Sequence, residues 1–516
     1  MDAEPISDLA NPREGTAMEP DRHSASDRQD APDGHSAPDC DVAVIGGGPA
    51  GAAAAARLAA RGYRTVLVDR ASFPRDKVCG DFVGPMALAE LADLGVTQTA
   101  AFAATSTMSR LALHVDAAPP AVLAIPEVDG IPAYGRVIPR LTLDAWIVDA
   151  ARQAGATVLD GRKADAIEPA PDAITVRGRG QAGPWRLRAR LLLGADGSNS
   201  MVARTLHGGP PPGNDRILAV RAYYDDIDGL DGAQAQGDIW FRSDTFPGYH
   251  WLFPTGGASA NLGVGMAAAT YPRSARNLRE MLLRLIAEDG ALRDRLRGAR
   301  MRGKVLGHPL TTYHPTLPLV GNRIMLLGDA AGLINPLNGE GIQYALHSAR
   351  WAADIAAGRL AADRLAAADL RGYQQRVHQS LRTDMALSRL IVQLIRNRSL
   401  NHVWLSALSS IAARAQTDPD YAHHLGCVLT GLTPAVSAVG TAAAARIFGR
   451  ALVPPLASEP WRRLTRHGPS ARPTAGPAEA GPGEFTTWAA GTARSLAELT
   501  TELTRASLTR RPTGAR

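Results

Sequence analysis

Between Asp41 and Asp69 the chain has little freedom in how it folds. Asp41-Val42-Ala43-Val44-Ile45 is a short apolar run that opens directly into Gly46-Gly47-Gly48-Pro49-Ala50-Gly51. An alanine-rich helix former follows and stops near Gly62, and Thr65-Val66-Leu67-Val68 then reads as a second buried strand ending in Asp69. The order is strand, glycine turn, helix, strand, acid, with the acid 23 positions after Gly46. Each part has a mechanical reason. Gly46 permits the tight turn, Gly48 lets backbone approach a pyrophosphate, and Gly51 lets helix and strand pack closely. The helix N-terminus offers free N–H groups and a positive dipole to phosphates, and Asp69 suits a ribose diol. A lone glycine motif is weak evidence, but the complete βαβ context predicts a dinucleotide-binding unit.

Length and composition set what surrounds this unit. A chain of 516 residues exceeds one ordinary domain. Hydrophobic content of 45% with 21% charged residues fits a globular protein with a real core. Three cysteines exclude a disulfide scaffold and suit a reducing, cytoplasmic setting. The formal charge of +6 invites a nucleic-acid reading, but the basic residues are scattered and aromatics amount to 5%. A phosphate-tracking groove with stacking platforms wants the opposite of both, so nucleic acid is not an expected partner. Residues 1–38 carry nine acidic residues against Arg13, Arg22 and Arg28 with few large apolar side chains, which predicts a disordered acidic tail. The uncharged run between His424 and Arg446 is broken by Gly426, Gly431, Pro434 and Gly440, which reads as a buried helical hairpin and not a membrane span. Residues 465–484 form a Pro/Gly/Ala linker. Beyond it Trp488, Thr492, Leu496, Leu499 and Leu503 recur at helical spacing, with Arg494, Glu498, Glu502 and Arg505 on the other face, which predicts a helix packed on the body, the alternative being a helix for a membrane surface or a partner.

Two later segments repeat the pattern of a strand running into an acid and small residues. They are Leu191-Leu192-Leu193-Gly194-Ala195-Asp196-Gly197-Ser198-Asn199-Ser200 and Arg323-Ile324-Met325-Leu326-Leu327-Gly328-Asp329-Ala330-Ala331-Gly332. A helix is expected after Asn338-Gly339-Glu340-Gly341-Ile342. In this order and spacing, GGGPAG, GADGSNS and GDAAG resemble FAD enzymes of the p-hydroxybenzoate hydroxylase fold. The resemblance implies that Asp329 holds the ribityl chain of FAD. It also implies that the backbone from Asn338 to Gly341 lies near the flavin pyrimidine, where a helix N-terminus favours negative charge. Arg140 and Asp144 match that group's arginine-bearing helix near the pyrophosphate. The cofactor-binding set carried onto this chain is Gly46, Gly48, Ala50, Gly51, Asp69, Arg70, Cys79, Gly80, Arg140, Asp196, Gly328, Asp329, Gly339, Gly341 and Ile342.

Lys77-Val78-Cys79-Gly80 and Tyr249-His250-Trp251-Leu252-Phe253-Pro254, followed by Gly263-Val264-Gly265, narrow the branch. From about Asp39 to Arg450 these motifs resemble the geranylgeranyl reductase family, whose members reduce C=C bonds of prenyl chains. Tyr249, Trp251 and Phe253 alternate along a strand and so share one face. That face is either ordinary core or the wall of a tunnel for a long apolar substrate. Cys79 is either a small buried hydrophobe or a group beside the flavin. Cys79, Tyr249 and Trp251 are the candidates for the substrate side of the site. No HExxH, CxxC or GxSxG occurs, so neither a metal nor a nucleophilic hydrolase is indicated.

The expected reaction is hydride transfer from reduced FAD to an apolar substrate (a prenyl lipid, a quinone or a secondary metabolite), with NAD(P)H or another reductant as donor. A flavin monooxygenase hydroxylating or epoxidising an apolar or aromatic metabolite is the alternative. A lipid-binding escort without catalysis predicts a damaged GD segment, and Asp329 is intact. The expected fold is α/β, with a Rossmann-like FAD-binding domain over 39–80, 136–205 and 305–355. A β-rich substrate domain over 81–135 and 206–304 interleaves with it. A helical region over 356–456 then carries Leu387, Ile391, Leu394 and Ile395 on one apolar face, and 457–516 is linker and terminal helix. Those helices either cap the tunnel, touch a membrane peripherally, or simply pack.

Overall fold

A computed structural model describes residues 37–116, 118–209, 216–230, 236–271, 277–432 and 482–509. The acidic tail, except its last two residues, lies outside the described residues. So do the linker up to residue 481 and most of the run expected to form a hairpin.

The apolar run Cys40–Ile45 is the middle of a parallel sheet, flanked by Thr65–Val68 on one side and Gly183–Gly194 on the other. Thr157–Leu159 and Ile324–Leu326 continue the sheet outward in the same direction, and the short Val320–Gly321 closes one edge. Val42, Ala43 and Val44 have no exposed surface, as expected of strands covered on both faces. Helix Pro49–Ala59 packs against helices Arg140–Gln153 and Ile342–Ala361. Its Ala52, Ala53, Ala54 and Ala55 are fully buried, and small side chains let the three helices approach closely. The strand Gly183–Gly194 is twelve residues long and does two jobs. Its first part pairs antiparallel with Ile174–Gly180, and its second runs beside Cys40–Ile45 to deliver Ala195 and Asp196 to the glycine turn.

A seven-stranded second sheet has the order Arg300–Thr311, Arg216–Asp225, Ser259–Ala267, Tyr249–Gly256, Gln236–Phe241, Arg110–Val115, Ala121–Ala124. All neighbours are antiparallel except Gln236–Phe241 with Arg110–Val115. One face packs Leu252, Leu262 and Val264 under helix Leu278–Glu288 through Met281, Leu282 and Leu285. The opposite face carries Tyr249, Trp251 and Phe253. Arg300–Thr311 lies wholly in this sheet, so the boundary drawn at 304/305 falls inside a strand. Its Arg, Lys and Gly residues hide the alternation a strand usually shows.

Helices Ala367–Ile395, Asn401–Thr417 and Pro419–Leu429 follow, and helix Pro482–Thr509 lies along Ala367–Ile395. In that last pairing Trp488 Nε1 donates to the Gln393 carbonyl at 3.0 Å, and Leu499 and Leu503 join Leu387 and Leu390. Three residues depart from the expected faces. Leu496 is 54% exposed, whereas Glu502 is buried and meets Arg382 at 2.9 Å, with Glu498 turned towards Arg389. Arginines one heptad apart on the partner helix draw the glutamates inward. No helix among the described residues is long and apolar enough to cross a membrane.

Candidate functional site

The glycine turn is dictated by backbone contact. Gly46 has φ +104°, and a Cβ there would lie 2.2 Å from the Ala195 carbonyl oxygen. A Cβ on Gly51 would lie 1.9 Å from the carbonyl oxygen of Gly46. Gly48 differs: nothing comes closer to its Cβ position than Arg75 Nη2 at 3.8 Å and Arg140 Nη2 at 3.9 Å. Two guanidiniums thus face an open backbone position at the start of a helix whose N-cap makes no side-chain hydrogen bond. Free N–H groups, a helix dipole and two cations in one place are the donor set a pyrophosphate requires.

Both cations are anchored by one carboxylate. Arg140 Nε and Nη2 donate to the two oxygens of Asp144 at 2.6 and 2.8 Å, and Arg75 Nη1 donates to the same group at 2.9 Å. Asp144 is fully buried. The ribose-side acid, Asp69, accepts from the Gly47 N–H at 2.7 Å and the Ala71 N–H at 2.9 Å, so its carboxylate is held against the turn. The neighbouring Arg70 is exposed.

Asp329 stands on the other side of the cradle, after Ile324–Leu326. Lys77 Nζ donates to its Oδ2 at 2.8 Å. Burial pushes this carboxyl up, but Lys77 more than offsets that and, with Arg140, holds it below the usual carboxylate range. Gly341 brings the loop Asn338–Gly341 back to Asp329, since a Cβ there would lie 3.4 Å from Asp329 Oδ1. Helix Ile342–Ala361 then begins without a side-chain cap, leaving its first N–H groups free.

The substrate-side candidates converge on this loop. The Tyr249 hydroxyl donates to the Asn338 carbonyl. Trp251 and Phe253 continue the face, with ring centroids 6.1 Å from Tyr249 to Trp251 and 6.5 Å from Trp251 to Phe253. Gly80 is set against them, and its missing side chain leaves 3.3 Å to the Phe253 ring and 3.4 Å to Trp251 Nε1. A buried network fixes this arrangement. Trp251 Nε1 donates to Asn261 Oδ1 at 2.9 Å, and Asn261 Nδ2 donates to the Cys79 carbonyl and to Asp81 Oδ2, both at 2.7 Å. Tyr223 also donates to Asp81 Oδ2, at 2.6 Å. Burial lifts the Asp81 carboxyl to about 6, although these two hydrogen bonds pull it down. Burial likewise pushes the Cys79 thiol up.

Cys79, Gly80, Asp81, Tyr249, Trp251 and Phe253 line one cavity of 490 Å³. It starts at Pro49, Lys77, Arg140 and Asp329, passes Cys79, Tyr249, Trp251 and Gly339, and ends among Ile391, Leu394, Ile395, Trp404, Leu408 and Leu425 of the C-terminal helices. The apolar face read at 387–395 therefore divides. Ile391, Leu394 and Ile395 close the cavity, while Leu387 packs beneath the terminal helix. Asp196 does not reach the cavity: it accepts from Ser200 Oγ and from the Met201 N–H at 2.6 Å, fixing the start of helix Met201–His207. Sequence reasoning gave no role to Arg75, Asp81, Asn261 or Glu340. Arg75 stands two residues before Lys77, but nothing local marks its partner 69 residues away. No cluster of potential metal ligands occurs among the described residues.

A family model described as an FAD binding domain matches residues 39–357. A menaquinone reductase of Mycobacterium tuberculosis is 35% identical over 337 residues, covering 61% of this chain and 76% of that protein. A digeranylgeranylglycerophospholipid reductase of Methanopyrus kandleri is 28% identical over 386 residues, covering 73% of this chain and 96% of that protein. Among solved structures, a geranylgeranyl bacteriochlorophyll reductase-like protein from Thermoplasma acidophilum superposes with a TM-score of 0.60 at 22% identity, over 81% of this chain and 98% of that one. A flavin-dependent brominase shares the fold as well, with a TM-score of 0.63 at 18% identity over 82% and 99%. The cradle holds the donors an FAD pyrophosphate and ribityl chain need. The chain belongs to the geranylgeranyl reductase family of FAD-dependent oxidoreductases.

Proposed function

We propose that the protein saturates a C=C bond in the prenyl chain of a quinone or lipid, using FAD reduced by NAD(P)H or another donor. The observation that carries this reading is the cavity, whose polar end is the cofactor cradle and whose far end is a sleeve of aliphatic and aromatic side chains with almost no polar groups. Such a sleeve suits a long hydrocarbon and offers nothing to orient a small polar substrate. The relatives named as menaquinone and digeranylgeranylglycerophospholipid reductases support the same substrate class.

When bound, FAD supplies the hydride; the protein supplies position and dryness. In this reading Gly46, Gly48, Ala50, Gly51, Arg75 and Arg140 hold the pyrophosphate. Asp69 and Arg70 take the adenosine ribose, and Gly328 and Asp329 take the ribityl chain. Gly339, Gly341 and Ile342 face the flavin pyrimidine. Cys79, Gly80, Tyr249 and Trp251 form the surface on which the alkene lies, and the sleeve excludes water. We read 39–80, 136–205 and 312–355 as the cofactor layer and the intervening segments as the substrate layer. Prenyl lipids reside in bilayers, so the reading carries peripheral membrane contact by a cytoplasmic enzyme with it.

The test is anaerobic. The flavin is reduced, a prenylated quinone is added, and reoxidation is timed while the product is weighed by mass spectrometry. A product heavier by two hydrogens supports the reductase. An oxygenated product formed only with O₂ moves the assignment to a monooxygenase.

A further inference from the structure

Saturating an isolated alkene needs a proton as well as a hydride, and the protic groups lining the cavity are few. Tyr249 spends its hydroxyl proton on the Asn338 carbonyl. Lys77 is bound to Asp329 and Arg140 to Asp144. Cys79 is a weak acid made weaker by burial. Glu340 remains.

Glu340 sits between Gly339, at φ +71°, and Gly341, in the loop that joins Asp329 to the Tyr249 face. Its carboxyl is wedged between two further glycines. Oε1 lies 3.4 Å from the Cβ position of Gly84, and Oε2 lies 2.8 Å from that of Gly431. Any side chain at Gly431 would displace it. Among the described residues, the charged and titratable groups around it are Asp384 from helix Ala367–Ile395, Tyr344 from the helix that follows and Tyr249 from the aromatic strand. No cation among the described residues pairs with it. Burial, reinforced by the Asp384 charge and only partly relieved by a hydrogen bond with Asn338, lifts its pKa to about 8. Glu340 is therefore a neutral acid at pH 7, poised near ambient pH as proton donation favours.

We propose that Glu340 is the acid that protonates the substrate alkene. This rests on the reductase reading. One alkene carbon receives hydride from the reduced flavin. The π-electron pair forms a C–H bond at the neighbouring carbon with the Glu340 proton, and the carboxylate left behind is reprotonated from water. The cofactor becomes oxidised and the alkene gains two hydrogens.

The holoenzyme decides. With a prenylated quinone in single turnover, the wild-type rate of alkene saturation falls as pH rises through about 8. In E340Q it drops about 100-fold and loses that limb, while flavin reduction and quinone binding, followed by quenching of tryptophan fluorescence, stay unchanged. E340D keeps the limb at a lower rate. Independently of turnover, an infrared pH titration of the oxidised holoenzyme shows a protonated-carboxyl band that disappears through the same pH range and is absent from E340Q. Saturation by E340Q at the wild-type rate, or wild-type infrared spectra without that band, overturns the proposal alone. If the wild type saturates no alkene, the reductase reading fails and the acid role fails with it. Should E340Q load no FAD, a pH limb and rate in E340D identical to the wild type overturn the role.

Discussion

Asp329 and Glu340 lie eleven residues apart, line the same cavity and are both half-buried, yet desolvation has opposite consequences for them. Desolvation disfavours the charged form of each. Asp329 meets Lys77 at 2.8 Å and stays ionised below the usual range, whereas Glu340 finds no cation among the described residues, feels the like charge of Asp384 and rises to about 8 despite a hydrogen bond with Asn338. The partner, more than the depth, sets the protonation state. The contrast also divides the cavity by task. Its first end is a set of paired charges and bare backbone suited to an anionic cofactor. Its second is apolar, with one neutral acid where the two ends meet.

The largest effect expected from breaking the cofactor end comes from Gly51→Val. The Cβ of any residue there falls 1.9 Å from the Gly46 carbonyl oxygen, a contact of backbone against backbone that no rotamer relieves. The variant should retain no FAD after reconstitution, read from the flavin absorbance relative to protein; normal flavin content would show that the turn is not the cradle. Arg140→Met comes next. It leaves the fully buried Asp144 with Arg75 alone. Removing one partner of a buried ion pair costs about 3–5 kcal/mol, which a urea titration would register as a lower midpoint, accompanied by weaker FAD binding. An unchanged midpoint would mean that Arg75 suffices.

The third prediction sharpens the two-carboxyl comparison through stability. Glu340 has a folded pKa raised from 4.5 to about 8, so it holds more protons folded than unfolded between those values. Its contribution is full below 4.5 and is lost as pH rises through about 8. Asp329, held low, contributes nothing to the slope in that window, because its stabilisation is lost only as pH falls below the ordinary carboxylate range. E340Q should therefore flatten the decline in unfolding free energy between pH 5 and 8. Lys77→Met should steepen it by making Asp329 behave as Glu340 does. Parallel curves for E340Q and wild type would show that Glu340 titrates normally.

The cofactor end was largely legible in the sequence because its constraints act on the backbone. Gly46 and Gly51 are demanded by backbone contact that only glycine meets, and the short strand that runs into Gly328 and Asp329 shows in the local pattern of apolar and small residues. The shared face of Tyr249, Trp251 and Phe253 was legible for the same reason, since strand periodicity fixes it. Glu340 stands in a glycine-flanked segment that carries no local sign of an acid role, because its chemistry comes from Gly84, Asp384 and Gly431, which are brought together only by folding. Arg75 and the Asp81–Asn261–Trp251 network escaped likewise. The terminal helix was read with its faces partly misassigned: apolarity put Leu496 inward, while Arg382 and Arg389 on the neighbouring helix draw Glu502 and Glu498 there instead.

That helix supplies the smallest effect. Trp488→Ala removes the indole donated to the Gln393 carbonyl and loosens the contact behind Ile391 and Leu394, which reach the cavity from the same partner helix. Trp488 is half-exposed and the interface also keeps Leu499, Leu503 and two ion pairs. The loss should therefore stay near the ~1 kcal/mol typical of point substitutions, with thermal melting lowered by a few degrees and flavin content untouched. The discriminating readout is chain length. If the helix braces the apolar end, the variant's preference among prenylated quinones of different tail length shifts while flavin reduction does not. If melting falls and that preference holds, the terminal helix stabilises the body without shaping the sleeve.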